Sequence, residues 1–257
     1  MNARAYLSLR VRDKVFIFTS LMLLSLSSLA AEPDWSAFDT LLKQNVASGT
    51  KDGVRLNTVD YAAIRRDPAY QQVLKQVQSY NLRELKTKEE KLAFYINVYN
   101  LFAIKMILDH WPIKAIKDAG NIFNSVWKKD IGRLGGRNVS LHYIEHEVLR
   151  KMDEPRIHMA IVCASVSCPD LRKEAYMANK LDGQLDEQST LFLQNSGKGL
   201  QMRKNEIDVS KLFKWFDDDF DQYGGVLGFV KKYRQDLPPK IQIDDYLPYN
   251  WQLNSKP

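Results

Sequence analysis

The sequence predicts an α+β fold: a helix-rich single domain with a small sheet of short strands and a central buried helix. Three observations carry this reading. Many stretches repeat apolar residues every three or four positions, two pairs of short apolar segments flank turn signals, and one helical stretch is apolar on nearly all sides. With 257 residues, 45% of them hydrophobic and 26% charged, the chain can bury one large core.

The first 30 residues combine a basic start (Arg4, Arg10, Arg12, Lys14), an apolar core from Val15 to about Leu26 and the small-residue run Ser27 to Ala31. That is the pattern of a secretory signal with cleavage after Ala30, and its apolar core is shorter than the roughly 20 residues a spanning helix needs. The expectation is a periplasmic or secreted protein with no membrane span after signal cleavage. The organisation read from the chain is a signal peptide at 1–30, a helical segment packed on the core at 31–86, the core domain at 87–253 and a tail at 254–257. Of the net charge of +6, the first 30 residues supply +3. The remaining +3 is spread along the chain and gives no electrostatic case for a nucleic-acid partner.

Pro33 to Ala47 carries Trp35, Phe38, Leu41, Leu42 and Val46 at helical spacing, followed by a polar loop through Asp52-Gly53. Pro68 opens another helix with Val73, Leu74 and Val77. The strongest helix starts at a capping box, Thr87 with Glu90, and runs to about His110, before Pro112. Within it, Asn97 and Asn100 interrupt an otherwise apolar run and share a face, where each amide must find a partner or line a site. Gly135-Gly136 predicts a hairpin between Ile131 and Val139, and Ser140 caps a helix reaching about Met152. A helix over 179–194 should turn Leu181, Leu185, Leu191 and Phe192 inward. A second hairpin surrounds Lys204-Asn205, helices follow at Leu212–Phe216 and Val226–Tyr233, and the aromatic tail Tyr246 to Trp251 should dock on the core.

The chemistry concentrates at Arg156 to Pro169 (RIHMAIVCASVSCP), which holds both cysteines and one of four histidines. An apolar run ending in Ser, Cys and Pro reads as a buried strand delivering a polar loop to a sheet rim. In an extended strand, His158 and Cys163 have opposite parity and lie about 16 Å apart. A nucleophilic Cys163 thiolate would then take its imidazole from elsewhere, best from His146, with Glu145 or an asparagine as orienter. Alternatively, Cys163 and Cys168 pair in a disulfide, as two cysteines in an oxidising compartment tend to. A third pattern, His142-Tyr143-Ile144-Glu145-His146, matches the inverted zinc-protease motif but lacks an obvious third ligand.

Lys91 to Leu101 (KLAFYINVYNL), Val126-Trp127-Lys128, Gly135-Gly136-Arg137, Leu141 with Ile144-Glu145-His146, Arg156-Ile157-His158, Cys163-x-Ser165-x-Ser167-Cys168-Pro169 and Tyr249-Asn250-Trp251 together resemble the domain of unknown function 547 family. The resemblance runs from about Lys88 to Leu253. It implies a helix-rich domain found in secreted bacterial proteins and in multidomain eukaryotic ones, and no settled activity. The family pattern does not depend on a histidine at position 142, which weakens the zinc reading.

Three functions stay open. The first is a thiol-dependent hydrolase or acyl transferase with Cys163 as nucleophile, His146 as base and Glu145 or Asn97 as orienter, in a cleft that His158, Asn100, Ser165, Ser167 and Cys168 also help to form. The second is a non-catalytic binding or interaction domain with a Cys163–Cys168 disulfide, its loop flanked by Arg156 and Arg172. The third is a zinc hydrolase using His142, Glu145 and His146. No cofactor or bound metal is expected on the preferred reading, and the substrate or protein partner is not named by the sequence.

Overall fold

A computed structural model describes residues 33–120 and 125–256. The expected signal peptide lies outside the described residues. Helix α1 (Ser36–Asn45) buries Phe38, Leu41 and Leu42. The chain then forms an antiparallel hairpin, β1 (Val46–Lys51) with β2 (Val54–Val59), where the sequence reading placed a helix end and a polar loop. Asp52 and Gly53 both take positive φ, the turn geometry whose twist matches paired strands, so the Asp-Gly pair was a hairpin signal. Asp60 and Asp67 cap α2 (Tyr61–Arg66) and α3 (Pro68–Ser79), with Pro68 in the first turn as predicted.

Helix α4 (Lys88–Asp109) is the central helix. Both bonds of the Thr87/Glu90 capping box form, and almost every residue from Leu92 to Leu108 is buried. Among the described residues it alone is long and apolar enough to cross a membrane, and here that surface is spent on the core. Asn97 and Asn100 each bond main chain at both ends of the amide. Asn97 Nδ2 donates to Tyr176 O and its Oδ1 accepts from Tyr176 N–H; Asn100 likewise holds Ala160 O and Val162 N–H, at 2.8–3.0 Å.

The hairpin β3 (Asp130–Leu134) with β4 (Arg137–Ser140) turns over Gly135-Gly136 as expected. It lies so close to α4 that a Cβ at Gly132 would stand 2.5 Å from the Phe102 ring. The helix after Ser140 forms, with Ser140 Oγ accepting from Tyr143 N–H, but it is irregular: a π-helical stretch over Tyr143–Leu149, then a 3-10 turn over Arg150–Met152. Such widened turns recur at functional sites.

The predicted strand at 156–163 does not form. Pro155–Met159 is a 3-10 turn, opened by Pro155 and by Glu154 accepting from Arg156 N–H, and the chain continues irregularly through Cys163. A short buried apolar run does not distinguish a strand from a buried turn, and here Asn100 replaces the ladder partners a strand would need.

Helix α5 (Leu181–Gln194) buries Leu181, Leu185 and Phe192, while Leu191 falls on the edge of that stripe and is 53% exposed, against expectation. The second predicted hairpin is β5 (Leu200–Arg203) with β6 (Glu206–Val209), and β7 (Gln242–Tyr246) adds to β6 in parallel. Helices α6 (Leu212–Trp215) and α7 (Val226–Tyr233) lie between. The strands thus form three small sheets in place of one.

Two apolar clusters result, a large one around α4 and a smaller one that includes Phe213, Phe220 and Phe229. The aromatic tail does dock. Leu253 bridges to Ser165 and Ser255 to Val59, so the last residues strap the cysteine loop to the β1–β2 hairpin.

Candidate functional site

A cavity of about 200 Å³ opens where the two clusters meet. Its lining brings together Glu145, His146, His158, Cys163 and Cys168 of the sequence-predicted residues, and His142 with them. Asn97, Asn100, Ser165 and Ser167 are not among its lining residues. Asn97 bonds Tyr176 main chain with both ends of its amide, away from the cavity lining, and Asn100 holds the segment leading into Cys163. Ser167 Oγ accepts from Asn250 N–H at 2.8 Å, fastening the tail.

The thiol is positioned by a sharp turn. Ala164 takes φ +59, rarely adopted by a residue other than glycine, and Asn254 N–H bonds its carbonyl. Cys163 Sγ stands 3.1 Å from both Ser165 Oγ and Tyr249 Oη, and Cys163 N–H donates to Cys168 Sγ. Both cysteines are free; the disulfide is not formed. Burial works against a thiolate at Cys163, but the hydrogen bonds from Cys168, Ser165 and Tyr249 outweigh it and bring the thiol below its ordinary value. Burial pushes the Cys168 thiol up, and the neighbouring Cys163 adds to that. The pair is therefore unequal: the Cys163 thiol is held below its ordinary value and the Cys168 thiol above it.

The expected pairing of Cys163 with His146 is absent. Among the described residues no imidazole is within hydrogen-bond distance of Cys163 Sγ; of the cavity's three histidines, His146 and His158 are bound elsewhere. Arg150 holds Asp219 through two bonds of 2.7 Å and reaches His146 Nδ1 at 2.9 Å. A guanidinium only donates, so His146 Nδ1 accepts and the ring proton sits on Nε2. His158 Nε2 donates to Asp219 Oδ2 at 2.7 Å while its ring stacks on Phe216. Burial lowers both imidazole pKa values, and His142 and Arg150 lower that of His146 further. Burial opposes the Asp219 charge, yet the bonds from His158 and Arg150 hold its carboxyl well below the usual range. With His158 neutral, Arg150 is the countercharge.

Glu145 is held by the Tyr99 hydroxyl, which donates to Oε2 at 3.1 Å. Burial raises its carboxyl to about 7; the Tyr99 bond lowers it, and the nearby Cys163 raises it again. A carboxyl that titrates near neutrality beside a thiol can carry a proton in either direction. His142 and His146 stack with centroids 4.4 Å apart, but among the described residues no three His, Cys, Asp or Glu side chains converge as metal ligands, so the third ligand that the zinc reading lacked is still missing.

Several groups that line the cavity or brace its histidines escaped the sequence reading. Arg150 sits one turn after His146, a spacing that could have been read; Tyr249 stood in a motif already noted; Tyr99, Asp219 and Trp215 carried no local signal.

Residues 82–193 match the family model described as "Protein of unknown function, DUF547". Comparison with the curated proteins and with the solved structures gave no match. The matched segment holds Tyr99, Glu145, His146, His158 and both cysteines, whereas Trp215, Phe216, Asp219, Tyr249 and Trp251 lie beyond it.

Proposed function

We propose that the protein is a thiol-dependent hydrolase or acyl transferase with Cys163 as nucleophile. The observation that carries the reading is Cys163 itself, a thiol lining an open cavity with two hydroxyls on its sulfur and a depressed pKa. The roles of the partners differ from those expected from sequence. Glu145 takes the thiol proton as sulfur attacks an acyl carbonyl carbon. His146, neutral and protonated at Nε2, donates to the oxyanion that develops. Protonated Glu145 then delivers its proton to the leaving group, leaving a thioester on Cys163. Water, or another acceptor, gives its proton to Glu145 as it attacks the thioester carbon; the carbon–sulfur bond breaks, the acyl group leaves, and Glu145 returns the proton to the Cys163 sulfur. Arg150, Asp219 and His158 act through His146 by fixing its tautomer.

The basic, apolar and small-residue pattern of the first 30 residues supports export as part of the proposal. The test is electrophile trapping: a vinyl sulfone should form one adduct, mapped to Cys163 by mass spectrometry, and Cys163→Ala should lose both the adduct and thioester turnover while keeping its melting temperature. Undiminished turnover by Cys163→Ala would contradict the reading.

A further inference from the structure

Beside the thiol the cavity changes character. The rings of Trp215, Tyr249 and Trp251 pack on one another with centroids 4.6–5.8 Å apart, and Trp127 and Phe216 extend the apolar lining. Tyr249 belongs to both parts, its hydroxyl on Cys163 Sγ and its ring in the wall. Trp215 is 43% exposed there, one of three large apolar side chains left exposed among the described residues. Aromatic surface kept open beside a reactive group is a place for a ligand.

The interior offers little to an ionic group. Arg150 is bound to Asp219 and His146, and burial works against a charge on His146 and on His158. Lys128 lines the cavity but is exposed at its rim. Volume sets a further limit, since about 200 Å³ lies below the roughly 300–1,000 Å³ of pockets that enclose a drug-sized ligand. One ring, or a group of similar bulk, is what fits.

Resting on the thiol reading, we infer that the substrate is an acyl compound whose acyl group is uncharged and ring-sized, packed on the Trp215–Tyr249–Trp251 wall with its carbonyl carbon at Cys163. Acyl transfer from a thioester forms the bond between Cys163 sulfur and the acyl carbon, breaks the bond to the leaving sulfur, and sends the Cys163 proton through Glu145 to the departing thiolate. The three rings of the wall lie C-terminal to residues 82–193.

The test uses N-acetylcysteamine thioesters of acetic, phenylacetic and hexadecanoic acids, with acylation of Cys163 in the full chain followed by intact-mass spectrometry. Phenylacetyl transfer is expected to be about tenfold faster than acetyl or hexadecanoyl transfer, the gain from packing one ring on an aromatic wall. Trp215→Ala should shrink that preference to within about twofold, Trp215→Phe should keep most of it, and Met202→Ala, an exposed change away from the cavity, should leave it intact. Equal acetyl and phenylacetyl rates, or a fastest rate with hexadecanoyl, would overturn the inference and leave the thiol reading standing. No Cys163 adduct with any thioester would remove both.

Discussion

Two regions of the molecule bury polar side chains in opposite ways. On α4, Asn97 and Asn100 each engage main chain through both the carbonyl oxygen and the amide nitrogen, and neither lines the cavity. In the cavity, Glu145, His146 and Cys163 are each held by one side and open on the other. The first arrangement lowers energy and fixes geometry; the second keeps hydrogen-bonding and proton capacity in reserve. Burial of a polar residue therefore indicates a site only when its bonding is incomplete, and this distinction can be broken or sharpened by mutation.

The largest expected effect falls on the closed region. Asn97→Ala strands the buried N–H and C=O of Tyr176, and should lower the unfolding free energy by about 2–4 kcal/mol in urea denaturation. The folded fraction should alkylate at Cys163 at the wild-type rate. A loss of thiol reactivity in proportion to stability would mean that the two regions are one.

Glu145 should give a pH-dependent effect. Its carboxyl is raised from an ordinary 4.5 to about 7, so between those values the folded chain holds more protons than the unfolded one. Stability from this group is therefore present at low pH and declines as pH rises through that window, by on the order of 3 kcal/mol. Glu145→Gln, which stays neutral, should flatten that part of the stability–pH curve. An unchanged slope would return Glu145 to an ordinary solvated carboxylate.

Legibility in the sequence followed the range of the interactions. Local devices were readable: the Thr87/Glu90 capping box, Pro68 at a helix start, the Gly135-Gly136 hairpin and the helix Val226–Tyr233 all stand where spacing placed them. The segment at 156–163 was misread because its apolar run satisfies its main chain through Asn100, a partner about 60 residues away that periodicity cannot reveal. That error also carried the argument separating His158 from Cys163, since a strand geometry that does not form sets no distance. The cavity's Glu145, His146, His158, Cys163 and Cys168 were legible, but most of its aromatic lining and all of its bonding were not. Arg150 and Asp219 determine what His146 can do, and Asp219 reaches the site from 61 residues beyond His158. The aromatic tail was rightly expected to dock, although nothing local showed that Tyr249 would end on the cysteine sulfur.

The central claim is that Cys163 is a free thiol made reactive by hydroxyl donors, unlike its buried neighbour Cys168. Alkylation of the unreduced protein with iodoacetamide across pH, read by peptide mass spectrometry, tests it most directly. The account predicts that Cys163 modifies far faster than Cys168, with a midpoint below the roughly 8.5 of an ordinary thiol, and that Tyr249→Phe moves this midpoint upward. Cysteines that resist alkylation until a reductant is added, or a Cys163 midpoint at or above the ordinary value, would contradict it.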